Sequence, residues 1–228
     1  MGTPSGAIPP AKIMRAALCE KLVDVKKDQS IGAVILTGID SFGAESSSDD
    51  ILHLVPCVDL VADLNCPTVA AVDGSITGIG TELAMACDII YASESSTFSL
   101  NQLSLGTIPG AGGSQRLSRV VGKSLAMEAI FSGEPFSAIE AKRTGLVSRV
   151  FPSRRLLKDS IRMGERLVSF SPLIQSMAKE AMATSQETTL RDGLRMESRL
   201  FEMTFSTKDR NEGMTAHLEQ RQPVFRGK

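Results

Sequence analysis

Three short apolar runs, set among segments of helical pattern, restrict this chain more than any other feature. Gly32-Ala33-Val34-Ile35-Leu36-Thr37-Gly38 is continuous, apolar and closed by glycine at both ends, the form of a buried strand. Thr68-Val69-Ala70-Ala71-Val72-Asp73-Gly74 repeats that form after Pro67, and Asp88-Ile89-Ile90-Tyr91-Ala92 is a third run. Helical patterns at Met14 to Lys27, about Ile51 to Leu64, and Glu82 to Cys87 precede and separate them. Such alternation predicts an α/β fold with parallel pairing. Beyond Gly113 the pattern turns helical: Ser114 to Val121, Lys123 to Phe131, Ala138 to Thr144, Arg154 to Phe170, Pro172 to Thr184, Leu190 to Thr204 and Lys208 to Glu219. Leu194, Leu200, Phe201 and Phe205 lie six, one and four residues apart. That spacing is only partly helical, and we expect these four to pack in a core.

Composition excludes several classes of function. With 228 residues the chain fits one large domain, or one domain and a helical appendage. Its 25 basic and 26 acidic residues give a net charge of −1, so no long-range field steers it to nucleic acid or an anionic membrane. No apolar run approaches the ~20 residues of a membrane span, and no membrane insertion is expected. Four cysteines (Cys19, Cys57, Cys66, Cys87) show no CxxC spacing, and His53 and His217 are the only histidines. Neither a metal site nor a disulfide framework is expected. Met1 to Pro10 has neither the apolar core of a signal peptide nor the Arg-rich character of a transit helix.

The segment richest in chemistry is Gly74-Ser75-Ile76-Thr77-Gly78-Ile79-Gly80-Thr81-Glu82-Leu83-Ala84-Met85-Ala86-Cys87-Asp88. A strand ends at Gly74, a glycine-rich turn follows, and a helix begins near Gly80. Free N–H groups cluster where a helix starts, so the turn can hold a phosphate or an oxyanion growing on a carbonyl. Glu82, in the first helical turn, stands ready for acid–base work. The plainer reading is that Glu82 complements the helix dipole while the glycines pack on the sheet. A dinucleotide fingerprint is excluded, since Gly78-x-Gly80 lacks its third glycine. Phe98 to Leu117 reads as a structured loop punctuated by Pro109-Gly110 and Gly112-Gly113, with Ser114 as N-cap of the next helix.

Pro67 to Gly74, Glu82 to Asp88 and Leu105 to Leu117 resemble the signature of the crotonase superfamily, enoyl-CoA hydratase in particular. The similarity runs on through Val121 to Ala126, Ala141 to Val147, Ser206 to Met214 and Arg221 to Phe225. It implies a spiral of ββα units with a C-terminal helical trimerisation region. The expected divisions are 1–30 (a variable N-terminal segment and first helix), 31–170 (the spiral core) and 171–228 (the oligomerisation region). It implies homo- or hetero-trimers that pair as hexamers, a coenzyme A thioester as substrate with no cofactor, no nucleic acid, and a mitochondrial address. Glu82 falls on the first catalytic glutamate of the family. The oxyanion-hole N–H groups fall on Ser46 and Ile79, and the substrate-binding positions on Ala44, Gly78, Gly80, Pro109 and Gly110.

The same comparison exposes departures. Gln102 stands where family hydratases carry their second glutamate, and an amide orients water but transfers no proton as a carboxyl does. Ile79 interrupts a run that is Gly-Gly-Gly in the family, and a branched side chain disfavours glycine-like turn geometry. Glu45 replaces the glycine of the Ala-Gly-Ala-Asp-like loop. Nothing in Met1 to Met14 matches the segment that meets the adenine nucleotide, and Glu219-Gln220-Arg221 lacks a lysine of the family motif. With the site altered and the scaffold kept, the sequence leads us to expect a catalytically degenerate, hydratase-like protein, a structural or accessory subunit of a hetero-oligomer or larger assembly. The alternative is an active hydratase, isomerase or hydrolase of acyl-CoA breakdown using Glu82.

Overall fold

Two of the three apolar runs pair with each other in parallel. In the computed structural model of the protein, residues 11–38 and 55–228 are described, 11–16 by their backbone alone. Strands β1 (Val34–Thr37), β2 (Thr68–Val72), β4 (Ile89–Ser93) and β7 (Arg149–Phe151) form one sheet in the order β1-β2-β4-β7. β2 lies parallel to β4 with Val69 opposite Ile89, and β4 parallel to β7 with Tyr91 opposite Arg149. Every residue of β2 is buried, as expected of a continuous apolar strand in a parallel sheet. Asp88 accepts from the Thr68 N–H at 2.7 Å and from its hydroxyl at 2.9 Å, while its own N–H donates back to Thr68 Oγ1. This exchange pins the register at the sheet's edge.

A second sheet, in the order β3-β5-β6, consists of β3 (Ser75–Thr77), β5 (Thr97–Ser99) and β6 (Phe136–Ser137). Its first pair is parallel and its second antiparallel. These strands have two or three residues each, too short for any periodic signal, and the sequence reading has no counterpart for them. Ser96 joins the two sheets: its hydroxyl donates to the Val72 carbonyl at 2.8 Å and accepts from the Gly74 N–H at 3.3 Å.

The helices follow the expected segments closely. They are α1 (Ala11–Lys27), α2 (Val55–Ala62), α3 (Ile79–Ala86), α4 (Gly113–Val121), α5 (Lys123–Ser132), α6 (Ala138–Arg143), α7 (Ser153–Val168), α8 (Pro172–Thr184), α9 (Leu190–Thr204) and α10 (Lys208–Leu218). Glycine in the left-handed region ends α5 at Gly133, and a reciprocal Ser137–Glu140 box caps α6. Two expectations fail. Helix α4 begins at Gly113 with left-handed Gly112 as its N-cap, so Ser114 lies inside the helix and caps nothing. Of the four apolar residues assigned to a core in α9 and just beyond it, only Leu200 is buried. Leu194, Phe201 and Phe205 are exposed, because their spacing of seven and four residues puts them together on one side of the helix, away from the side that buries Leu200.

The chain forms two compact units. The second comprises Ser30–Val34, Asn65–Pro67 and Arg162–Lys228, and the first the remainder up to Ile161. In the first unit α1 packs on α2, and a disulfide joins Cys19 of α1 to Cys57 of α2, with Cα atoms 5.2 Å apart. Where no disulfide framework was expected, tertiary packing brings this one pair together across 38 residues. Among the described residues no helix is long and apolar enough to cross a membrane.

Candidate active site

The pairing of β3 with β5 decides what lies beside Glu82. Residues 74–82, expected as a glycine-rich turn after a strand end, instead run through β3 and a turn at Gly78 into α3, and Thr81 ties that turn down. The Thr81 hydroxyl donates to the carbonyls of Ile76 at 3.2 Å and Ser99 at 2.9 Å. The Gly78 N–H also donates to Ser99. Gly78 has φ 49° and ψ −119°, a conformation open to glycine and strained for other residues. With the unusual dihedral at Gly78, Ile79 enters the helix with an ordinary negative φ and its side chain buried. The feared misfit of a branched residue in the glycine run does not occur. The Ile79 N–H sits at the first helical position, where it has no acceptor within the helix.

Two other segments converge on Glu82, which is 1% exposed. Residues 102–105 form a single 3₁₀ turn just after β5, and Gln102, 4% exposed, points its amide at the carboxyl. Gln102 Nε2 donates to Glu82 Oε2 at 3.1 Å. From the other side the loop before α4 presents backbone: the N–H groups of Ala111 and Gly113 both donate to Glu82 Oε1 at 2.8 Å. Arg116, one turn into α4, donates to the Ala111 carbonyl at 2.8 Å and so braces the loop that holds the carboxyl. Gly113 is glycine for reasons of space: a Cβ there would lie 2.9 Å from Glu82 Oε1 and 3.0 Å from Pro109 Cβ.

Burial pushes the Glu82 carboxyl up. The N–H groups of Gly113 and Ala111, the Gln102 amide and the Arg116 charge pull it down, yet the balance stays above the ordinary 4.5. A buried carboxyl held at three points, with a raised pKa, is equipped to take and return a proton. Glu82 lies in the first turn of α3, where it also complements the helix dipole, and its carboxyl is in addition held by the Ala111 and Gly113 N–H groups.

Of the residues singled out from sequence, the structure brings Glu82, Gln102, Gly78, Ile79, Gly80 and Pro109 into one neighbourhood. Gly110 is exposed, with nothing within 4 Å of a Cβ built on it. Ala44, Glu45 and Ser46 lie outside the described residues. Sequence reasoning missed the two backbone donors at Ala111 and Gly113 and the brace from Arg116. The signal was the Pro-Gly-Ala-Gly-Gly run ahead of a helix, read only as a loop. A separate groove of about 330 Å³, lined by residues of α4, α5 and α6 including Leu117, Leu125 and Arg143, contains neither Glu82 nor Gln102.

The arrangement has relatives. Residues 11–228 match the model of the enoyl-CoA hydratase/isomerase family. The chain is 42% identical over 229 residues to the mitochondrial enoyl-CoA hydratase of Pongo abelii, covering 92% of this chain and 79% of that one. It is 39% identical over 225 residues to the 2,3-dehydroadipyl-CoA hydratase of Escherichia coli, covering 92% and 87%. The crystal structure of an enoyl-CoA hydratase from Bacillus anthracis superposes with a TM-score of 0.87 at 35% identity, covering 95% of this chain and 89% of that one. By fold and by sequence along nearly its whole length, the chain belongs to the enoyl-CoA hydratase/isomerase family of the crotonase superfamily.

Proposed function

We propose that this chain is an active acyl-CoA enzyme that adds water across the double bond of a 2-enoyl-CoA, with Glu82 as its acid–base carboxyl. The observation that carries this reading is the enclosure of Glu82 by the Ala111 and Gly113 N–H groups and the Gln102 amide. A scaffold kept only for assembly has no need to hold a buried carboxylate so closely, because replacing one with apolar packing is often neutral or stabilising. The relatives named above are themselves called hydratases. On this reading the thioester oxygen of the substrate meets the Ile79 N–H, with Ser46 as the expected second donor. As a water oxygen bonds to C3, Glu82 takes one of its protons, and negative charge collects on the thioester oxygen. The carboxylic acid then returns that proton to C2. The net change is addition of H and OH, and no cofactor enters.

The accessory-subunit reading rested on five departures, at Gln102, Ile79, Glu45, Met1 to Met14 and Glu219-Gln220-Arg221, and the geometry bears on the first two. Ile79 fits its turn and Gln102 is joined to Glu82, so both observations favour the active reading. Within it, 31–170 serves as the catalytic core and 171–228 as the oligomerisation region of a trimer, for which light scattering should give three chain masses. A mitochondrial address follows the names of two relatives, though bacterial relatives match as well. The deciding experiment follows loss of the conjugated thioester's absorbance with crotonyl-CoA. Glu82→Gln should lower turnover ~10²–10⁴-fold. Equal rates for the two proteins, or no turnover by the well-folded wild type with short- or long-chain enoyl-CoA, would reject the proposal.

A further inference from the structure

Gln102 occupies the Glu82 site in an unusual way. Glu82 Oε1 accepts two N–H groups at 2.8 Å, which uses both of its lone pairs. Oε2 accepts one, from Gln102 Nε2 at 3.1 Å. A proton that enters or leaves Glu82 therefore does so at Oε2. The ionised carboxyl also fixes the amide's orientation, since only its nitrogen end can donate to Oε2. This leaves Gln102 Oε1 buried with no hydrogen-bond partner among the described residues. A buried acceptor without a donor is a net cost to folding, and such groups are rare in native proteins. A residue serving only to fill this space would do better without it.

We propose that Gln102 is a positioning residue: its Nε2 holds Glu82 Oε2, the oxygen at which the proton exchanges, and its Oε1 accepts a hydrogen from the water that Glu82 deprotonates. The second half rests on the hydration reading above; the first stands on the carboxyl's geometry alone. One water then donates one hydrogen to Oε2 and the other to the neighbouring amide oxygen, so its lone pairs face away from both. The amide supplies by orientation what a second carboxyl would supply by charge.

The test uses Gln102→Met, which keeps length and removes both polar atoms, and Gln102→Glu. The carboxyl of Glu82 is followed by carbon-13 NMR of glutamate-labelled protein, assigned by its loss in Glu82→Gln. We expect its titration midpoint to rise in Gln102→Met, where a donor to the carboxylate is lost. It should rise further in Gln102→Glu, where a second carboxylate opposes ionisation. The thermal midpoint of Gln102→Met should equal or exceed that of the wild type. Its kcat should fall roughly tenfold, the scale of one hydrogen bond, with the pH profile displaced in step with the NMR midpoint. An unmoved NMR midpoint with a lowered thermal midpoint would show a packing residue and overturn the proposal. If no enoyl-CoA is hydrated by the wild type, the hydration reading fails along with the water's role, while the NMR arm still decides the link from Nε2 to Oε2.

Discussion

Gly110 and Gly113 stand three residues apart in the loop that holds Glu82, yet only one of them needs to be glycine. A Cβ on Gly113 meets Glu82 Cγ and Pro109 Cβ, both at 3.0 Å, whereas a Cβ on Gly110 meets nothing within 4 Å. Gly113→Ala should therefore displace the carboxyl, costing ~1–3 kcal/mol and most of the turnover. Gly110→Ala should leave urea unfolding within ~0.5 kcal/mol of wild type, and equal midpoints for the two variants would contradict the close approach. Glu82 carries its own signature in pH. Its folded pKa lies above the ordinary 4.5, because burial outweighs four stabilising contacts. A carboxyl raised in this way contributes stability at pH below its unfolded value and loses it as pH rises through the folded value. Glu82→Gln, which cannot ionise, should gain on the wild type in urea midpoint as pH rises above the ordinary 4.5; a gap that shrinks on that rise would contradict the raised value. At this scale Glu82 could be singled out by its type and its place in the first helical turn after a glycine run, and Gln102 only through the family resemblance. The Ala111 and Gly113 N–H groups could not be, since a backbone donor is the same for every residue and acquires a role only when the loop is folded.

Helices were the legible elements and short strands the illegible ones. A run such as Leu190–Thr204 spans four turns and declares itself by pattern and cap, whereas Phe136–Ser137 contributes two residues and is recognised only through its partner β5. Caps also link elements that sequence leaves apart. Ser171 accepts from the Ile174 N–H at 3.3 Å to start α8 and donates to Asp209 Oδ2 at 2.6 Å in α10. Asp209 in turn accepts the N–H groups of Arg226 and Gly227, and Glu212 takes Arg221 and the Val224 N–H. Two carboxylates of one helix thus clasp residues 221–228. Ser171→Ala removes a cap and a buried bond together, and should cost about 1–3 kcal/mol in urea unfolding. The clasp should also fail in acid. The Arg221 guanidinium and the Val224 N–H hold Glu212 down to about 2. Burial pushes Asp209 up, but Ser171 and three backbone N–H groups more than offset it and hold it below its ordinary 3.8. Carboxyls depressed by folding stabilise above their unfolded values, and that stability drains as pH falls through the folded ones. Protection factors for amide exchange at Val224, Arg226 and Gly227 should fall between about pH 4.5 and about pH 2 while those of the β2 amides stay high. Simultaneous loss in both places would mean that acid unfolds the chain as a whole and not the clasp alone.

For the molecule as a whole, composition and alternation defined the class correctly, but neither could order the strands or pair the cysteines. The order β1-β2-β4-β7 places the third strand of the chain in the other sheet, a choice made by the contacts of β3 with β5 and invisible in any local pattern. Cysteine pairing is likewise a property of packing. The bridge from Cys19 to Cys57 spans 38 residues, and Cys57 is 1% exposed against the apolar face where α1 meets α2. Between the two cysteines lie β1 and the residues 44–46 to which the family resemblance assigns half of the oxyanion hole. Closing a loop of this length removes unfolded-chain entropy worth about 4 kcal/mol in the simplest account, and engineered bridges often deliver less. Reduction should therefore lower the urea midpoint of the wild type by an amount equivalent to ~2–4 kcal/mol and leave Cys19→Ser unaffected. Alkylation of the unfolded, unreduced chain followed by mass spectrometry should label Cys66 and Cys87 alone. Four labels before reduction would show two thiols packed side by side; the reductant would then change nothing, and the union of α1 with α2 would rest on apolar contact and the Lys26–Asp63 ion pair at 3.4 Å.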